Sequence, residues 1–196
     1  MNDIERGIHP HQVPEPVFLA SPDNANSQMI TPDHPAREVM TDLRKIKPFQ
    51  INATASLQEI NDKMICCEVR LLFVNDSQGQ FCGIITATDI LGEKPLLFIQ
   101  NNAIKREDIT AQDLMTPLHK LEAIPFEQII QSRVSDVITA LKDCRRHHML
   151  VIEKRQGKDY VRGIYSVTQV SKQCGIEIIQ NERADGFAQL NKALAG

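Results

Sequence analysis

Two short stretches hold the side chains whose types and spacing could do chemistry. The first is Gly83-Ile84-Ile85-Thr86-Ala87-Thr88-Asp89-Ile90. The apolar run from Phe81 to Ile85 predicts a short buried strand. Thr86 ends that run, and Asp89 three residues on completes a helix-capping pattern. The strand therefore delivers two hydroxyls, Thr86 and Thr88, and one carboxylate to the mouth of a sheet. The second stretch, Gly163-Ile164-Tyr165-Ser166-Val167-Thr168-Gln169-Val170, repeats the design. Ser166 and Gln169 stand there in place of Thr86 and Asp89. An ionised carboxylate is acceptor-only, so Asp89 suits hydroxyl or N–H donors, and Gln169 keeps the reach without the charge. Both stretches are also complete capping boxes, which need no ligand. No nucleophile stands beside a base in either, and no Gly-rich phosphate loop occurs, so catalysis is not expected.

The elements that must position these groups recur in order. Pro35 suits a first helical turn that continues through Ala36 to Met40 and stops at Thr41. Ser56-x-x-Glu59 is a capping box for a helix with Leu57, Ile60 and Met64 on one face. Val69 to Val74 predicts an apolar strand broken only by Arg70, and Asn75 to Gly79 predicts a turn. After the Thr86 helix come interruptions at Gly92 and Pro95, a short helix near Leu96 to Gln100 and a polar connector, Ile104 to Asp108. Thr110-x-x-Asp113 is another capping box. The order then restarts. Leu114-Met115-Thr116 matches Val39-Met40-Thr41. Val134, Val137, Ile138 and Leu141 form one helical face. His148 to Ile152 matches Arg70 to Val74, which sets His148 against Arg70. Gln156-Gly157-Lys158 matches the first turn. An internal repeat of this length means two small α/β units.

The bulk properties agree. The chain has 196 residues, 42% of them apolar and only 5% aromatic, with a net charge of -3. That is room for two small units with an aliphatic core. The slight acidity argues against non-specific nucleic-acid binding. Cys66, Cys67, Cys82, Cys144 and Cys174 are odd in number and lack metal or disulfide spacing, so they read as buried free thiols. No secretory leader or membrane-length apolar run is read in the sequence, and the expected location is the cytoplasm. Residues 1–34 are a Pro-rich arm with an apolar island, Val17-Phe18-Leu19-Ala20, and His9, His11 and His34 in it read as solvated. Residues 176–196 read as a polar C-terminal tail with helical character. Cys144-Arg145-Arg146-His147-His148 is the most basic stretch. It reads as a solvated helix end, and adjacent His147 and His148 face opposite ways on a strand, unsuited to one metal.

The Val39-Met40-Thr41 start, the polar turn and Gly83-Ile84-Ile85-Thr86-x-x-Asp89, each with a counterpart in the same order later within residues 35–175, resemble the CBS domain, named after cystathionine β-synthase. The resemblance implies an α/β (α+β) fold of two β-α-β-β-α repeats packed as a pseudo-symmetric pair, at residues 35–103 and 104–175. It implies an adenosine-containing ligand between the copies: an adenine nucleotide (AMP, ADP or ATP) or S-adenosylmethionine. It also implies a homodimer acting on a regulated protein whose identity the sequence does not give. Carried over by residue, the ribose would lie on Thr86 and Asp89, beside Thr88, with the phosphate toward Arg70 and the helix's free N–H groups. His148, Ser166 and Gln169 would form a weaker second site. Two other readings stand beside this one. One is a structural or interaction protein with empty clefts; the other is nucleic-acid binding through Arg145 and Arg146, whose mark is steep salt dependence.

Overall fold

A computed structural model of the protein describes residues 29–144 and 147–178. Most of the proline-rich arm, Arg145, Arg146 and most of the C-terminal tail lie outside the described residues.

Each repeat supplies three strands of one four-stranded sheet with helices on one face. In the first, β2 (Gln50–Asn52) runs parallel to β3 (Leu71–Asn75), which runs antiparallel to β4 (Phe81–Thr86). Helix α1 (Leu57–Cys66) joins β2 to β3, and α2 (Ala87–Leu91) follows β4. In the second, β6 (Ala123–Pro125), β7 (His148–Arg155) and β8 (Lys158–Ser166) pair in the same way. Helices α5 (Phe126–Gln131) and α6 (Val134–Asp143) precede β7, and α7 (Val167–Cys174) follows β8. The β-α-β-β-α order is thus present twice.

The capping boxes start the helices where the sequence puts them. Glu59 N–H donates to Ser56 Oγ at 3.3 Å, and Ser56 N–H donates to Glu59 Oε2 at 2.7 Å. Thr110 N–H donates to Asp113 Oδ2 at 2.8 Å ahead of α4 (Ala111–Leu114). Leu57, Ile60 and Met64 face the first core, while Val134, Val137, Ile138 and Leu141 face the second. Between the sheets, Phe73 and Ile84 of one meet Leu150 and Ile164 of the other. The layers therefore run helix, sheet, sheet, helix, with three apolar seams, as burial of two sheet faces demands.

The leading segments are exchanged between the repeats. A 3-10 turn (Ala36–Val39) and β1 (Thr41–Asp42) open the first repeat but pack on the second. Thr41 and Asp42 pair antiparallel with Ile164 and Gly163 of β8. The buried Tyr165 hydroxyl donates to Ala36 O at 3.1 Å, and burial pushes its phenol pKa up. Reciprocally, α4 fills the first core, and Thr116 and Pro117 of β5 (Thr116–Pro117) pair with Ile84 and Gly83 of β4. A cut between residues 103 and 104 would separate each sheet from one of its strands.

This exchange explains the glycine of each repeated motif. A Cβ on Gly83 would lie 2.5 Å from Thr116 O, and one on Gly163 would lie 2.7 Å from Met40 Sδ. Only a residue without Cβ admits the incoming Met-Thr segment so closely. The two motifs singled out separately in each repeat are therefore halves of one contact made between repeats.

The thiols correct one expectation. All five are free, but Cys66 and Cys144 are exposed and only Cys174 is fully buried. Cys66 ends α1 away from the Leu57, Ile60 and Met64 face, so its position needs no apolar surroundings.

Candidate functional site

The end of β4 and the start of β3 form one corner. Leu71 pairs with Thr86, and Ala87 N–H donates to Arg70 O at 2.9 Å. The Arg70 backbone thus lies beside the strand-to-helix turn that carries Thr86 and Asp89. Arg70 immediately precedes β3 rather than lying in it. It is exposed, and its guanidinium makes no hydrogen bond or ion pair recorded among the described residues. Thr88 is exposed on the first turn of α2.

Asp89 is the centre of the corner and is only 8% exposed. Its Oδ2 accepts from Thr86 N–H at 2.8 Å and from Thr86 Oγ1 at 2.6 Å. Asp89 N–H returns a bond to Thr86 Oγ1 at 3.3 Å, closing the capping box. Its Oδ1 accepts from Lys94 Nζ, which opens α3 (Lys94–Asn102) and also donates to Leu114 O at 3.2 Å. Lys94 was missed from sequence because its partner lies across a helix break at Gly92. The spacing Asp89 to Lys94 alone does not place a cation on a carboxylate. The N–H groups of Ala87 and Asp89 are already bonded within the chain, so they are not open to a phosphate.

The second corner differs. Ser166 begins α7 without a side-chain cap bond, so the complete capping box expected there does not form. Gln169 is exposed and makes no recorded bond to Ser166. An amide lacks the charge that draws Thr86 N–H and Oγ1 onto Asp89.

The match of His148 to Arg70 is corrected by one residue. Val167 N–H donates to His147 O at 2.9 Å, as Ala87 N–H does to Arg70 O. His148 instead pairs with Ser166 as Leu71 does with Thr86. A one-residue slip turns a strand side chain to the opposite face. His147 is accordingly exposed, while His148 is drawn inward. Burial pushes His148 down to about 4, and the neighbouring His147 acts in the same direction. The Asp89 charge acts on His148 in opposition. The structure therefore sets this second-repeat histidine within the field of the first-repeat carboxylate.

No cluster of three or more potential metal-ligating His, Cys, Asp or Glu side chains occurs among the described residues. Among them, too, no helix is long and apolar enough to cross a membrane.

Residues 36–95 match the family model of the CBS domain, a span that contains β1, Arg70, Thr86, Asp89 and Lys94. No curated protein matches the sequence. Solved structures with the same fold include an uncharacterized conserved protein from Pyrococcus horikoshii. It is 20% identical, with a TM-score of 0.51 over 73% of this chain and 93% of its own. A CBS-domain containing protein from Agrobacterium tumefaciens is 15% identical, with a TM-score of 0.50 over 73% and 94%. The CBS domain of the bacterial CNNM/CorC family Mg2+ transporter, in complex with ATP, is 16% identical, with a TM-score of 0.50 over 74% and 89%. Residues 36–95 are therefore similar to a CBS domain, and the same β-α-β-β-α order follows a second time in the fold.

Proposed function

We propose that this protein is a regulatory binding module, not an enzyme. It takes an adenine nucleotide or a related adenosyl ligand between its two repeats and passes its occupancy to another protein. The observation that carries the reading is the corner itself. A buried carboxylate, Asp89, and a hydroxyl, Thr86, stand beside an exposed arginine, Arg70, with no recorded side-chain partner among the described residues. A carboxylate accepts from vicinal hydroxyls, and a guanidinium clamps a phosphate with paired bonds. The ribose would lie on Asp89 and the phosphate toward Arg70. His148, on the inner face of the second sheet, would border the same ligand. The ATP complex of the bacterial transporter domain, which shares the fold, supports an adenine nucleotide as the class.

Homodimerisation in the cytoplasm is part of the proposal. Leu91, Leu96 and Leu97 are 69%, 58% and 51% exposed around the α2–α3 break, an apolar face that a second copy would cover. The module with empty clefts remains the second reading, favoured by an Asp89 whose two oxygens already have partners within the chain.

A thermal-shift screen with AMP, ADP, ATP, adenosine and S-adenosylmethionine tests the ligand class. A ligand bound only by the folded state must raise the Tm by mass action. At least one adenosyl compound is expected to do so in the millimolar range or below. No shift with any of them would contradict the reading.

A further inference from the structure

Asp89 Oδ1 is the carboxylate oxygen that the capping box leaves over, and Lys94 holds it. The same ammonium holds Leu114 O, the carbonyl that ends α4. Terminal helix carbonyls lack intrahelical donors, so a lysine is a natural partner there. Leu114 leads directly into Met115 and Thr116, the segment that packs on Gly83 and joins the first sheet from the second repeat. One side chain therefore spans the candidate ligand site and the crossover between repeats.

Among the described residues of the second repeat no such device occurs. Lys94 follows its capping threonine by eight positions; the residue at that distance from Ser166 is Cys174, 4% exposed in the second core. The cause is the helix break. α2 stops at Leu91 and the backbone turns at Gly92, whereas α7 continues to Cys174.

We propose that Lys94 is an internal occupant of the Asp89 site and that ligand binding displaces it, releasing its hold on the α4–β5 crossover. The proposal rests on the nucleotide reading and supplies the step by which occupancy would reach the rest of the molecule. A ribose diol donates its O–H groups, and the acceptor it needs is the oxygen that Lys94 covers. When the ammonium leaves, Leu114 O loses that donor, and the strand it precedes is held less firmly. Lys94 is a positioning residue in this account: it aims the carboxylate and competes with the ligand.

Lys94→Met tests it, since methionine keeps a long, helix-tolerant side chain without the ammonium. AMP and ATP are titrated into wild type, Lys94→Met and Asp89→Asn, and amide exchange over residues 114–116 is followed with and without nucleotide. Lys94→Met is expected to bind roughly two- to fivefold tighter, the scale of a half-exposed ion pair. Asp89→Asn is expected to bind more weakly. Both variants should exchange faster than wild type over that segment before ligand is added. Nucleotide should speed the segment in wild type and add nothing in Lys94→Met. Weaker binding by Lys94→Met would make Lys94 a ligand contact and overturn the proposal. Unchanged exchange in both variants would overturn it as well. If no protein of the set binds nucleotide, the nucleotide reading fails by itself. The bridge is then decided by exchange alone: acceleration in both variants upholds the hold on the crossover, and none rejects it.

Discussion

The two repeats share a backbone plan but bury their carboxylates at different points of it. The first sheet carries its buried carboxylate at the strand-to-helix corner, where Asp89 is held by Thr86 and Lys94. The second sheet leaves that corner to Ser166 and the exposed Gln169, and instead buries a carboxylate at its incoming strand. Asp42 pairs with Gly163 there, in the place that Pro117 takes opposite Gly83. Arg162 Nε and NH2 donate to the two oxygens of Asp42 at 2.8 and 2.7 Å. Glu153 lies 3.6 Å from Arg162 and accepts from Arg44 at 2.7 Å, and the guanidinium stands 4.4 Å from the Phe126 ring centroid. The second repeat thus uses charge to lock the exchanged leader, and the first holds a charge where a ligand could compete for it. Equal architecture does not make equal sites; a few polar substitutions on one scaffold separate the Arg162–Asp42 clamp from the Asp89 corner.

The largest break in this comparison should come from the clamp. Arg162→Met leaves Asp42 buried without its cation, which costs about 3–5 kcal/mol. Lys94→Met removes a half-exposed pair and should cost no more than about 1 kcal/mol. Urea denaturation of the two variants checks the contrast, and equal losses would mean that the two carboxylates play the same part.

Acid should separate the repeats next. His148 is held at about 4 in the fold, against 6.5 for an ordinary histidine. Its contribution is complete above pH 6.5 and is lost as pH falls toward 4, because the unfolded chain takes up the proton first. The loss is on the order of 3 kcal/mol. Asp42 is held at about 2 against 3.8, chiefly by its bonds from Arg162. Its contribution is complete above 3.8 and is lost as pH falls through 2, on the order of 2 kcal/mol. Unfolding midpoints measured against pH should fall in those two windows. His148→Gln should flatten the upper window and Asp42→Asn the lower. A variant that flattens the other window would show that the groups are misassigned.

The capping difference gives the smallest effect. Thr86→Ala should cost about 1 kcal/mol, whereas Ser166→Ala should cost little, since Ser166 makes no cap bond. Matched losses in thermal unfolding would mean that the second cap forms in solution.

How far the sequence could be read follows from the range of each interaction. Local patterns were legible: the Ser56, Thr86 and Thr110 caps, the apolar faces of α1 and α6, and the repeat. Each depends on residues within about one helical turn or on strict periodicity. The exchange of β1 and β5 was not legible, because Met-Thr and Gly-Ile signals show no address when they stand far apart in the chain. Lys94 was hidden by the break at Gly92, and Arg162 by its distance from Asp42. The register of His148 slipped because an apolar run does not mark which residue starts a strand. Its neighbour in the ladder, Ser166, decides that.

The central claim is that the first corner receives the nucleotide and the second does not. Calorimetric titration of the thermal-shift ligand into wild type, Asp89→Asn and Gln169→Ala tests it most directly. A charge-assisted hydrogen bond contributes about 1.5–3 kcal/mol, so Asp89→Asn should weaken binding by roughly ten- to a hundredfold. Gln169→Ala should leave the affinity within about twofold of wild type, as expected for an exposed side chain without a ligand. Equal affinities for wild type and Asp89→Asn would contradict the claim and leave Asp89 as a helix cap alone.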